Sequence, residues 1–242
     1  MPEVATNSHS LPQANAGGTP VPTTGAVPVP PACTFAPEPP LRWEWRTFDY
    51  QAQRWARLLQ QVELTPTPGP SSETYLLTPR SPDNVKIRNG RVEVKQLLRT
   101  SPDGLELWRP SLKEEFPLDS RTVSALCHAW QCEQPEVTPV LPTPEALTAW
   151  ITRTLPEVRI IPIRKLRHRF RLGECEGEWA SIESDDATLE TLALEHHDPA
   201  VLRQALDTLR LTDAPNINYV TGLKRFIGWT LDPVHRIPEI PV

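Results

Sequence analysis

The chain has 242 residues, with 25 Lys and Arg against 30 Asp and Glu and a formal charge of −5. That length holds one ordinary domain plus a tail, and a hydrophobic content of 38% suits a globular core. The mildly acidic balance argues against generic nucleic-acid binding. No apolar run approaches a membrane span and the N-terminus lacks the pattern of a signal peptide, so a cytoplasmic, non-membrane protein is expected.

Residues 1–40 contain no Lys or Arg, carry only Glu3 and Glu38 as acids, and are crowded with Pro, Thr, Ala and Gly. Such a composition cannot bury enough apolar surface to fold. It predicts a disordered Pro-rich tail with polyproline II stretches around Val21 to Pro31, and it names no partner for that tail. Residues 41–242 then form the folded domain, with 25 basic and 28 acidic side chains.

The domain opens on RWEWRTF, a strand over Leu41 to Phe48 with Arg42, Glu44 and Arg46 on one side and Trp43 and Trp45 on the other. A helix over Tyr50 to Val62 follows, with Trp55, Leu58, Leu59 and Val62 at helical spacing, and then a strand over Glu73 to Thr78. NVKIRNGRVEVK is the clearest local signal. Asn89-Gly90 supplies the two positive-φ residues of a type I′ turn, so Arg88 should face Arg91, Ile87 Val92, Lys86 Glu93 and Val85 Val94. One face of that hairpin is then ionic and the other aliphatic.

A strand over Leu105 to Leu112 must place Pro110 at an edge or bulge, and Lys113, Glu114 and Glu115 read as a solvated turn toward Pro117. Asp119 or Ser120 caps a helix bearing Val123, Leu126, Cys127 and Trp130, with Cys132 in the same pattern. Pro144 to Leu155 repeats it with Leu147, Trp150 and Ile151. IPIRKLRHRFRL sets Lys165, Arg167, Arg169 and Arg171 opposite Leu166, Phe170 and Leu172, a denser basic ladder than solubility requires. Strands over Glu174 to Glu183 and Leu189 to Glu195 follow. Asp198-Pro199 starts a helix ending near Leu211, and a last helix spans Asn216 to Ile227. Eight strands suffice to close a barrel, so the fold class is α+β: an eight-stranded, largely antiparallel β-barrel or tunnel with helices packed outside.

Four cysteines form no C-x-x-C pair, and the adjacent Cys127 and His128 diverge on a helix, which favours packing over metal binding. His196 and His197 point to opposite faces of a strand, so at most one serves any single site. Trp43, Trp45, Trp108 and Trp179 read as the barrel's outer face under helices, His168 as a hydrogen-bonded core residue, and Arg109 as a possible bore residue.

The order of charged strands, from RWEWRTF through VKIR, VEVK and RKLRHRFRL to TLALE, resembles the CYTH superfamily of triphosphate tunnel enzymes. The closing NINYVTGLKRF resembles the Tyr-bearing C-terminal helix of some bacterial members. The resemblance covers residues 41 to about 228. It implies a barrel that encloses ionic side chains and binds a triphosphate- or polyphosphate-containing anion together with Mg²⁺ or Mn²⁺. Known members include inorganic, thiamine and RNA triphosphatases and a class of adenylate cyclases.

Carried over by residue, the resemblance implies substrate binding by Arg46, Lys86, Arg88, Lys95, Lys165, Arg167 and Arg169. It implies catalytic roles for Glu44 and Lys95, and metal binding by Glu44 and Glu195, with Glu178 completing the set in place of a lost acid. The sequence departs from the family's E-x-E-x-K signature, reading Arg42, Glu44, Arg46, and the late E-x-E strand reads Glu195, His197. Glu93 and Glu178 are the other candidate donors. Two functions follow. One is a metal-dependent phosphohydrolase. The other is a binding module that kept the basic tunnel and lost metal-binding acids. A third reading is a sheet whose charged face simply meets water.

Overall fold

The computed structural model describes residues 40–49, 62, 64–65, 69–136, 139–184 and 187–229. The Pro-rich tail, and nearly all of the helix expected from Tyr50 to Val62, lie outside the described residues. The strands are β1 (Arg42–Asp49), β2 (Leu64–Thr65), β3 (Ser71–Leu77), β4 (Asn84–Arg88), β5 (Arg91–Thr100), β6 (Glu106–Glu115), β7 (Arg159–Leu172), β8 (Cys175–Ser184) and β9 (Ala187–His196). The described helices are α1 (Ser120–Trp130), α2 (Pro144–Thr154), α3 (Pro199–Thr208) and α4 (Tyr219–Phe226).

The sheet closes on itself. Its order is β7-β3-β4-β5-β6-β1-β9-β8, every pairing is antiparallel, and β8 returns to β7, giving the eight-stranded barrel expected from the sequence. The two-residue β2 joins β7 beyond the end of β3, opposite Phe170 and Arg169. The β4–β5 hairpin has the register its turn dictates, with Arg88 facing Arg91 and Lys86 facing Glu93, and with φ of 51° at Asn89 and 70° at Gly90. Pro110 lies at a bulge, opposite Lys95 where the β5–β6 register shifts.

Alternation along the strands sends one apolar face outward to the helices, and the inward face is ionic except at the end closed by the last helix. Helices α1 and α2 cover Leu76, Val85, Ile87, Val92 and Val94 with Val123, Leu126, Trp130, Leu147 and Ile151. Burying each such side chain contributes about 1.5–3 kcal/mol. Trp130 also satisfies its polar edge, because its Nε1 donates to the Leu76 carbonyl at 3.0 Å. Asp119 and Thr143 cap these helices through Thr122 N and Ala146 N. On the far side α3, capped by Asp198 with Pro199 in its first turn, packs Leu202, Ala205 and Leu206 over Trp43, Trp45, Phe170 and Leu194.

The fourth helix does something else: it stoppers one end of the barrel. Tyr219, Val220 and Leu223 pack against the inward-facing Tyr75, Leu77, Ile161, Ile163, Ile182 and Leu189. Gly222 permits this seating, since a Cβ there would lie 2.3 Å from the Phe48 ring. Lys224 is buried on the same helix and donates to the carbonyls of Ser81 and Pro79 at 2.8 and 3.3 Å.

Several expectations are corrected. Residues Lys113 to Glu115 continue β6 rather than turn, because Glu93 and Arg91 across β5 pair with Lys113 and Glu115. Trp108 faces inward, opposite Arg42, instead of lying on the outer face. Arg109 points away from the bore and donates to Gln96 at 2.8 Å. His168 is half-buried and stacked on Trp179 with ring centroids 4.8 Å apart. Cys132 lies outside α1, which ends at the left-handed Gln131. The last helix starts at Tyr219 because Asn218 caps it, and the Asn216 side chain instead accepts from Arg46 N and donates to Gly104 O. No helix among the described residues is long and apolar enough to cross a membrane.

Candidate functional site

The inward parity of the strands gathers the expected residues around one cavity of about 460 Å³. Arg46 comes from β1, Lys86 and Arg88 from β4, Lys95 from β5, and Lys165, Arg167 and Arg169 from β7, joined by Glu44, Glu178 and Glu195. Arg171, Glu93 and Glu176 complete a charged lining of eight cations and five carboxylates.

One carboxylate absent from the sequence expectations organises the cations. Glu73 on β3 has a side chain that is 0% exposed. It accepts from Lys86 Nζ at 2.9 Å, Arg167 Nη2 at 3.2 Å and the Tyr75 hydroxyl at 3.1 Å, with Arg88 Nη1 at 3.7 Å. Burial opposes ionisation of Glu73, but Lys86 and Lys165 outweigh it and hold the carboxyl below the usual range. Burial likewise lowers Lys86, to about 8, despite Glu73. Three cations sharing one buried acid form a preorganised array, fixed before any ligand arrives.

A second acid anchors the deeper cations. Glu178 on β8 accepts from Lys165 Nζ at 2.7 Å, with Arg46 at 3.5 Å and Arg167 at 3.9 Å. Burial resists its ionisation, and Lys165 and Arg46 overcome that resistance, leaving Glu178 far below the ordinary carboxylate value. Arg46 also donates to Glu44 at 2.9 Å and Thr191 at 3.2 Å. Below them Tyr219 closes the floor. Arg46 and Lys165 each lie 4.7 Å from its ring centroid, and Tyr75 stacks on it at 5.1 Å.

Across the bore the register produces an acidic row. Glu106 on β6 opposes Glu44 on β1, Glu44 opposes Glu195 on β9, and Glu195 opposes Glu176 on β8. Burial raises Glu195, with Lys95 opposing and Glu44 and Glu176 adding to the rise. Burial pushes Glu106 up to about 7 even though Asn218 Nδ2 donates to it at 2.7 Å. Glu44 is held below the usual range: burial works against this, while Arg46 and Lys95 impose it.

Mg²⁺ and Mn²⁺ are hard cations that take carboxylate and phosphate oxygens, so the donor chemistry suits them. Among the described residues, however, no three acidic, His or Cys side chains are arranged to hold a metal ion. Glu178 is committed to Lys165. Glu44 gives one oxygen to Arg46, and its other oxygen together with Glu195 on the adjacent strand is the set that could hold an ion whose remaining ligands are phosphate oxygens. Mg²⁺ commonly binds in that way.

Sequence reasoning missed Glu73, Tyr75 and Glu106, and placed Tyr219 only on the last helix, not in the cavity. Glu73 and Tyr75 share an inward parity, but only the pairing of β3 with β4 puts them against Arg88 and Lys86. Glu106 precedes Leu107 and Trp108 in an apolar run, where nothing marks it as a wall residue.

The fold and lining together define a closed antiparallel barrel with an ionic cavity stoppered at one end. It is the architecture implied by the resemblance to the CYTH superfamily, carried on a divergent sequence. No family model matches the chain, and no curated protein sequence matches it. Among solved structures, a candidate adenylate cyclase from Bacillus halodurans is similar at 14% identity and a TM-score of 0.42, over 76% of this chain and 96% of that one. A candidate adenylyl cyclase from Hippeastrum with a dominant triphosphatase activity is similar at 13% identity and a TM-score of 0.43, over 81% and 99%. The S. pombe RNA triphosphatase Pct1 is similar at 10% identity and a TM-score of 0.31, over 79% and 82%.

Proposed function

We propose that the barrel binds a triphosphate- or polyphosphate-bearing anion and hydrolyses a phosphoanhydride bond with the help of Mg²⁺ or Mn²⁺. The observation that supports this reading most is the charge arrangement: eight cations and five carboxylates line one cavity, with five of the cations pinned by acids and an acidic row facing them. Fixed guanidinium and ammonium groups in a partly dehydrated bore replace the hydration of phosphate oxygens without reorganising. Lys86, Arg88 and Arg167 are tethered through Glu73 and reach the cavity. Lys95 is freer, 44% exposed with Glu44 4.0 Å away, and can follow charge developing on a leaving phosphate.

Glu44 and Glu195 would hold the divalent ion, which when bound neutralises phosphate charge and lowers the pKa of a coordinated water. The stopper at Tyr219 excludes bulk water from the far end, and Arg46 with Lys165 fixes that floor. A second reading, a binding module without turnover, is favoured by the commitment of Glu178 to Lys165 and by Arg42 standing where the resemblance calls for an acid.

Tripolyphosphate separates these readings. Hydrolysis that requires Mg²⁺ or Mn²⁺ and falls at least about a hundredfold in Glu44→Gln supports the enzyme. Calorimetric binding without phosphate release moves the conclusion to the binding module. Absence of both binding and thermal stabilisation by tripolyphosphate defeats both readings.

A further inference from the structure

Seven of the eight cations of the bore fall into two tiers, and Lys95, 4.0 Å from Glu44, stands between them. Lys86, Arg88, Arg167, Lys165 and Arg46 each lie within 3.5 Å of a carboxylate oxygen. Arg169 and Arg171 line the same cavity and are exposed, and neither forms an ion pair among the described residues. Their cross-strand partners are turned elsewhere: Glu178 goes inward to Lys165, and Glu176 lies 3.8 Å from Arg42.

The two arginines have this position because β7 outruns its neighbour. Pairing with β3 ends at Lys165, while β7 continues to Leu172 against β8 and the short β2. Residues two apart on a strand share a face, so Arg169 and Arg171 extend the line of Lys165 and Arg167 outward from the floor to the mouth. At the other end α4 seals the barrel with Tyr219, Val220 and Leu223. A chain too long for the cavity therefore leaves by the mouth it entered.

Resting on the function proposed above, we infer that Arg169 and Arg171 form an exit ladder for a linear polyphosphate. One end of the chain occupies the tethered cations, and later phosphates run over the two arginines that are unpaired among the described residues. The lining favours unsubstituted polyphosphate over a nucleic-acid 5′ end. Its aromatic residues Tyr75, Trp108, Phe170 and Tyr219 are all buried, so no open ring among the described residues of the lining offers a base a stacking platform. Exposed arginines without acids are also those that lose least on meeting phosphate, since no internal ion pair has to be broken.

The test compares tripolyphosphate with polyphosphate of several tens of phosphates, by calorimetry, on the full chain and on Arg171→Gln and the Arg169→Gln, Arg171→Gln double variant. The ratio of long-chain to tripolyphosphate affinity should fall about fivefold in the double variant and less in the single one. The salt dependence of long-chain binding should become shallower. Lys86→Gln, a tethered cation, should weaken both ligands together and leave the ratio in place.

Equal losses for both ligands in the double variant, or an unmoved long-chain affinity with an unchanged melting temperature, overturn the ladder. A larger loss for a 5′-triphosphorylated RNA than for polyphosphate also overturns it, in favour of nucleic acid. If the unmodified chain binds tripolyphosphate but the ratio does not move, only the ladder fails. If it binds neither anion, the function reading fails with it.

Discussion

Glu73 and Glu106 are both buried glutamates in the barrel wall, and they live in opposite electrostatic worlds. On the wall made by β3, β4 and β7, Glu73 sits among Lys86, Arg88 and Arg167 and stays ionised. On the wall made by β6, β1 and β9, Glu106 has Glu44 in register beside it, one neutral donor from Asn218, and a pKa pushed up to about 7. The contrast teaches that burial raises both carboxyls and that cross-strand neighbours decide whether the rise is overcome, as Lys86 and Lys165 do for Glu73 and nothing does for Glu106. One wall is a neutralised scaffold and the other an acidic row with room for a cation.

The largest test breaks the first half of that comparison. Glu73→Gln should destabilise the protein by about 3–5 kcal/mol in chemical denaturation, because it leaves three mostly buried cations gathered around a neutral amide in place of a fully buried carboxylate. A loss below about 1 kcal/mol would show that the cations relax outward and that the scaffold is not fixed by this acid.

A medium-sized effect sharpens the second half, and its sign is opposite. Because Glu106 in the folded state has a pKa above its ordinary value of 4.5, the native protein holds a proton there between that value and about 7. Stability from this group is complete below the window and declines as pH rises through it. Glu106→Gln, which keeps an acceptor for Asn218, should remove that decline and stabilise the protein at pH 8 by on the order of 2 kcal/mol. Glu73, Glu178 and Glu44, with lowered values, contribute stability that is present above the ordinary carboxylate range and lost as pH falls. Melting curves from pH 3 to 9 on both proteins measure the two limbs separately.

The smallest effect lies at the rim. Arg91 and Glu115 form an ion pair with side chains 44% and 69% exposed, so a double-mutant cycle should give a coupling below about 1 kcal/mol that fades with salt. A coupling as large as that around Glu73 would erase the distinction between buried and solvated pairs.

The sequence by itself determined the local parts. Asn89-Gly90 admits one hairpin register, alternation in β1, β4, β5 and β7 separates ionic from apolar faces, and Asp119 and Asp198 mark helix starts, because each signal depends only on neighbours within a few residues. Those rules were enough to bring seven expected cations to one cavity. They could not assign Glu73 to Lys86, Glu178 to Lys165 or Trp108 to the interior, nor could they see Tyr219 as a floor. Such partnerships join residues far apart in the chain, and their register is fixed only when the barrel closes. Which charges cancel and which stay available is therefore a property of the closed sheet, since Coulomb interaction and desolvation depend on distances that the linear order does not contain.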